Sequence, residues 1–218
     1  MPRRPSLSVI PQNLRSSVLM VVPLAAFLVG PGILSSASVT AADTDMTERL
    51  LIDDFSSADG TSMLGTRWEG FTDRVMGGKS EMQIGYRDGD DGRILNMRGQ
   101  VRLENRGGFI QARLPLDARG GVFDARAWQG IGIRVRGRPG AYYIHLRTSQ
   151  NWMPWQYFRA RISVREDWQE QFVPFDAFEG RSTGRGIDLG ALKSLAVVAY
   201  GEAFDADIDV ARIELVAP

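Results

Sequence analysis

Side chains able to do chemistry are few in this 218-residue chain, and they are unevenly placed. It has no cysteine, so disulfides, thiolate metal sites and cysteine nucleophiles are excluded. His145 is the one histidine, so no cluster of histidine ligands can form and a Ser-His-Asp triad would have to use this residue. No G-x-S-x-G elbow, phosphate-cradling loop or strand-led G-x-G-x-x-G fingerprint accompanies it. Asp53, Asp54, Asp73 and Glu104 offer the two carboxylates that a glycosidase needs, but any chain with 26 acids offers such pairs. The acid-rich turn Asp88-Gly89-Asp90-Asp91-Gly92 lacks the length and ligand spacing of an EF-hand loop and reads as a hairpin connection. These residues point to no enzyme, no metal and no cofactor.

Binding chemistry is better represented. Successive side chains alternate sides along a strand. Tyr143, His145 and Arg147 therefore share one side of a strand from Tyr142 to Thr148, and Tyr157, Arg159 and Arg161 one side of the next. Arg134 and Arg136 share one side of the strand before them. If the three strands form a meander, one sheet face carries five arginines, two tyrosines and the histidine, a surface suited to a polyol, a carboxylate or a phosphate. The loop Asn151-Trp152-Met153-Pro154-Trp155-Gln156 sets Trp152 and Trp155 beside that face, and large aromatics in loops serve binding or docking. The same pattern also describes the wet side of a half-buried sheet, with arginines paired to acids such as Glu104 or Glu170, and tryptophans folded back over the sandwich end. Trp68, Trp128 and Trp168 read as core or core-edge residues.

The elements that must position these residues are β-strands. Short alternating segments separated by turn signals predict an antiparallel sandwich or barrel. Strands are expected at Leu50–Phe55, Ser80–Tyr86, Ile94–Leu103, Phe109–Leu114 and Ile131–Arg136. Further strands are expected at Tyr142–Thr148, Tyr157–Val164, Trp168–Pro174, Leu195–Tyr200 and Ile208–Val216. Gly137-Arg138-Pro139-Gly140 reads as a second hairpin connection, and Asp176–Phe178 and Leu189–Leu192 as single helical turns. Two glycine-dense turns, Asp73 to Ser80 and Asn105 to Phe109, have the composition of specified corners, since glycine takes positive φ freely and admits close approach of other groups.

Residues 1–42 differ in kind. Arg3, Arg4 and Arg15, no acid, an apolar run from Val18 to Val29 and small residues ending in Ala41-Ala42 form the layout of a secretory signal. The apolar run is short of the roughly 20 residues that span a membrane, so no stable span is expected after cleavage. Serine and arginine without acid also fit an organelle transit peptide, which leaves a mitochondrial alternative to a periplasmic or secreted location. Residues 43–218 read as one domain. All three leader arginines precede it, so 26 basic against 26 acidic residues overall leaves the domain about three charges negative, which implies no nucleic-acid partner.

Asp73-Arg74-Val75-Met76-Gly77-Gly78-Lys79-Ser80, then Asn105-Arg106-Gly107-Gly108-Phe109 with Arg113 behind, resemble the complex I intermediate-associated protein 30 family. Gly130 to Gly137, Tyr143, Trp168, Val173-Pro174-Phe175 and Phe178 extend the resemblance from about Leu50 to Val216. It implies an all-β, galactose-binding-like β-sandwich of jelly-roll type without catalytic activity, and an assembly or chaperone-like role. Within the motif, Asp73, Arg74, Met76, Gly77, Gly78, Ser80, Gly107, Gly108 and Phe109 are expected to be structural. The residues expected to meet a ligand or partner are Arg134, Tyr143, His145, Arg147, Trp152, Trp155, Tyr157 and Arg159. The partner expected is a protein client or a glycan, in the cell envelope if the leader exports the chain; a transit peptide would instead point to mitochondrial complex I assembly.

Overall fold

An alternating strand has one apolar face, and burying that face requires pairing into a sheet and then covering the sheet. The computed structural model describes residues 47–89 and 92–218. The leader expected over 1–42 lies outside the described residues. Along the chain run β1 (Arg49–Asp53), β2 (Glu69–Thr72), β3 (Glu81–Gly89), β4 (Gly92–Val101), β5 (Phe109–Pro115) and β6 (Gly130–Gly137). They are followed by β7 (Tyr142–Thr148), β8 (Tyr157–Ile162), β9 (Gln169–Pro174), β10 (Glu179–Arg181), β11 (Leu192–Tyr200) and β12 (Phe204–Val216).

The strands form two antiparallel sheets, ordered β3-β4-β12-β6-β9, with β1 also on β12, and β10-β8-β7-β11-β5-β2. Their inner faces meet in one core. Leu95, Met97, Ile133, Val135, Ile208 and Val210 come from the first sheet, and Ile110, Leu114, Ile144, Leu146, Leu195 and Val197 from the second. The fold is thus the expected antiparallel β-sandwich, and each expected strand is present within a few residues. Single 3-10 turns occupy Phe175–Ala177 and Leu189–Ala191, as anticipated. β2 and β10 were not expected: Glu-Gly-Phe-Thr and Glu-Gly-Arg are too short to show an alternation, and they pair at the two edges of the second sheet.

Two expectations are corrected. Asp88 to Gly92 does join β3 to β4, with Gly89 opposite Gly92, but Gly137 to Gly140 is no hairpin. It carries the chain from one sheet to the other. Gly137 has φ +153° and sits so close to Asp207 that a Cβ would lie 2.1 Å from its carbonyl oxygen; at Gly140 a Cβ would lie 2.3 Å from the Phe204 ring. β6 consequently pairs with β12 and β9, so Arg134 and Arg136 face outward from the first sheet, away from β7 and β8. There Arg134 stands opposite Glu170 in register, and both guanidiniums stack on Trp168, at 5.0 and 4.6 Å from the ring centre.

The two glycine turns meet on one buried carboxylate. Asp73 is fully buried; its Oδ1 accepts from Ser80 N–H at 2.9 Å, and its Oδ2 from the Ser80 hydroxyl at 2.5 Å and Gly108 N–H at 2.6 Å. Ser80 in turn accepts from Arg102 N–H at 2.9 Å, tying the end of β4 to the same point. Burial alone would raise the Asp73 carboxyl, but the hydrogen bonds from Ser80, Gly108 and Phe109 outweigh it and hold the group below its ordinary range. Each turn uses its glycines for two purposes. Gly77 and Gly108 take positive φ, +86° and +127°, whereas Gly78 and Gly107 leave room for the carboxylate, since a Cβ there would lie 2.3 and 2.4 Å from Asp73 atoms. Of the two reasons the sequence offered for such glycines, close approach is the one that applies at Gly78.

Gly78→Ala and Gly107→Ala are each expected to cost about 2–4 kcal/mol by displacing this carboxylate, and Asp73→Ala about 3–5 kcal/mol by orphaning its donors. Gly85→Ala, whose Cβ would meet nothing within 4 Å, should melt like the parent. Thermal denaturation of the four variants beside the parent checks this ordering.

Candidate functional site

The outer face of the second sheet carries a cleft of about 490 Å³. Its floor follows from register. On β11 the outward residues are Ser194, Ala196 and Val198, all small, and their neighbours are taller: His145 and Arg147 on β7, Gln111 and Arg113 on β5. A row of short side chains between two rows of long ones leaves a groove. Tyr200, at the end of β11, also lines it.

One wall is aromatic. Tyr157 of β8 stacks on His145 with ring centres 4.1 Å apart and planes 13° from parallel. Tyr200 meets the same imidazole edge-on at 6.1 Å. His145 is buried, its Nε2 has no hydrogen-bond partner, and burial followed by the nearby Arg159 cation lowers its pKa to about 3. The ring is therefore neutral at physiological pH. Burial, with the Tyr200 hydroxyl beside it, pushes the Tyr157 phenol up.

The opposite wall comes from β2 and β5. The Arg113 guanidinium lies over the Phe71 ring, 4.3 Å from its centre, and donates to Glu69 at 2.8 Å. Arg147 donates to the carbonyls of Asn151 and Met153, at 2.8 and 3.0 Å, and so fixes the tryptophan loop against the sheet. Gln156 adds a bond to the Ser182 carbonyl at 3.2 Å, joining that loop to the end of β10. Trp155 and Arg181 line the cleft from these two segments. Val75, Met76, Gly107 and Phe109 border it from the glycine corner, so the corner held by Asp73 forms part of the rim.

Of the residues expected to share a binding face, His145, Arg147, Trp155 and Tyr157 line this cleft. Tyr143 and Arg159 are on the same sheet face, with the Arg159 guanidinium 4.9 Å from the Tyr143 ring centre, but outside the cleft lining. Trp152 is 86 % exposed at the loop tip rather than folded over the sandwich end. Arg134 belongs to the other sheet, as described above. Sequence reasoning missed Phe71, Arg113, Arg181 and the β11 floor as cleft residues. The alternate small residues Ser194, Ala196 and Val198 were the available signal, whereas Phe71 and Arg181 lie in strands too short to be recognised.

Among the described residues no group of three or more His, Asp or Glu could hold a metal ion, and no helix is long and apolar enough to cross a membrane.

The complex I intermediate-associated protein 30 family model matches residues 54–201. The family 11 carbohydrate-binding module of the cellulosomal cellulase Lic26A-Cel5E of Clostridium thermocellum shares the fold, with TM-score 0.63, 15% identity, and coverage of 79% of this chain and 96% of that one. A family 11 module from the same organism, in complex with a β-1,3-1,4-mixed-linked tetrasaccharide, gives TM-score 0.59 at 15% identity, covering 78% and 95%. An agarase gives 0.53 at 11% identity over 78% of this chain and 24% of its own. No curated protein matches the sequence.

A histidine held neutral in the fold but free to protonate when unfolded favours the unfolded chain increasingly as pH falls from 6.5 toward about 3. Between pH 7 and 4.5 the parent protein should lose roughly 2–3 kcal/mol more stability than His145→Phe, which keeps a ring against Tyr157. Urea unfolding at the two pH values measures the difference.

Proposed function

The chain belongs to the complex I intermediate-associated protein 30 family, and from that premise we propose a non-catalytic binding domain whose ligand, an oligosaccharide, lies in the cleft of the second sheet. The observation that carries this reading is the lining itself. Ring surfaces of Tyr157, Tyr200, Trp155 and Phe71 stand around a floor of small residues, with hydrogen-bonding Gln111, Ser182 and arginines between them. Sugars present apolar faces edged by hydroxyls, and such ligands need both kinds of contact. The sandwich shared with carbohydrate-binding modules, one of them described with a bound tetrasaccharide, supports the reading by analogy of fold. None of the lining residues is acidic, so the cleft lacks the carboxylate pair through which most glycosidases act.

A protein client is the second reading. It is favoured by exposed apolar side chains, Val75 at the border of the cleft, 72 % exposed, and Trp152 at the tip of the tryptophan loop, 86 % exposed. Under both readings residues 1–42 act as a leader that exports the domain, in keeping with their basic start and apolar core. Sequencing the purified protein from its envelope source should find a chain beginning at Ala42 or Asp43; a mitochondrial location would point to the assembly role instead.

Titration calorimetry against a panel of plant and bacterial oligosaccharides should find at least one ligand. Tyr157→Ala and Trp155→Ala should each weaken that ligand by about tenfold or more, as truncation of buried aromatic anchors does. Absence of binding to every glycan at millimolar concentration would remove the carbohydrate reading.

A further inference from the structure

Charge is distributed unevenly over this domain. Residues 43–218 are net negative, yet the cleft contains Arg113, Arg147 and Arg181 and no carboxylate, and Arg159 and Arg161 extend the same sheet face. The acids that approach stand at the sheet edges. Glu69 of β2 pairs with Arg113 at 2.8 Å, and Glu179 of β10 stands opposite Arg159 in register. Arg147 has only loop carbonyls as partners, and neither it nor Arg181 has an ion-pair partner among the described residues. Burial and the Arg113 cation together pull the Arg147 guanidinium down from its ordinary value, which marks two cations close enough to repel. A cleft with low-dielectric aromatic walls concentrates the field of such charges.

We propose that the cleft selects anionic oligosaccharides, with a carboxylate or sulfate on the sugar meeting Arg147 and Arg181 while the rings stack on Tyr157 and Trp155. This rests on the cleft being a glycan site. An uncharged sugar would desolvate these cations with nothing to neutralise them, whereas an acidic sugar supplies charge-assisted, bidentate hydrogen bonds. The neutral imidazole of His145 leaves the arginines to set the charge preference.

The test is calorimetric titration of the protein with oligogalacturonate, a sulfated galactan oligosaccharide, and uncharged mixed-linked glucan and galactan oligosaccharides of equal length. At least one anionic ligand should bind about tenfold tighter than its uncharged counterpart and weaken about fivefold or more between 50 and 500 mM NaCl. Arg181→Ala, an exposed position lining the cleft, should weaken the anionic ligand about tenfold and an uncharged one by a clearly smaller factor, so that most of the preference between them is lost. Arg138→Ala, on the loop between sheets, should change neither. Preference for the carboxylated or the sulfated ligand identifies the anion, and either supports the proposal. Equal, salt-insensitive binding of charged and uncharged ligands would overturn anion selectivity while leaving the glycan site intact. Failure of all four ligands, with uncharged and charged glycans alike blank, would overturn both.

Discussion

The carboxylate of Asp73 is the constraint around which one end of the sandwich is arranged. A buried charge survives only when hydrogen bonds replace its water, and here the replacements come from segments far apart in sequence: Ser80 at the entry to β3, and Gly108 at the entry to β5. Ser80 passes the link to the end of β4 through Arg102. One side chain thereby joins strands of both sheets. The four glycines of the two turns follow from that geometry, because the backbone must both turn sharply and come within contact of the carboxylate.

The rim of the cleft is built on this corner. Val75 and Met76 lie in the turn that begins at Asp73, and Gly107 and Phe109 flank the donor Gly108. Asp73, Ser80 and Gly108 of the motif bond to one another, while Met76, Gly107 and Phe109 of the same motif line the cleft. The cleft and the corner are thus two sides of one arrangement. The floor is set independently, by three small residues of β11 placed between the longer side chains of β5 and β7. The tryptophan loop is fixed to the sheet by Arg147 and to β10 by Gln156.

Much of the fold was legible in the sequence because strand alternation and turn residues are local signals. Alternation correctly placed Tyr143, His145 and Arg147 on one side of β7, and Tyr157, Arg159 and Arg161 on one side of β8. It could not say which sheet a strand joins, and so it set Arg134 beside residues from which the whole sandwich separates it. The crossover at Gly137 to Gly140 depends on Asp207 and Phe204, some 70 residues on, and no local pattern reveals such a contact. The role of Asp73 was hidden for the same reason: its partner Gly108 lies 35 residues away. Phe71 and Arg181 were out of reach because edge strands of four and three residues carry no period.

The most direct test of a binding domain with its ligand in this cleft is to map backbone amide shifts in a two-dimensional NMR titration with the tightest oligosaccharide found. The account predicts shifts concentrated at Val75 to Gly78, Gly107 to Phe109, Trp155 to Tyr157, Arg181 to Ser182 and Ser194 to Tyr200, with the Arg134 and Trp168 face of the other sheet unmoved. Shifts centred on that other face, with the second sheet silent, would contradict it.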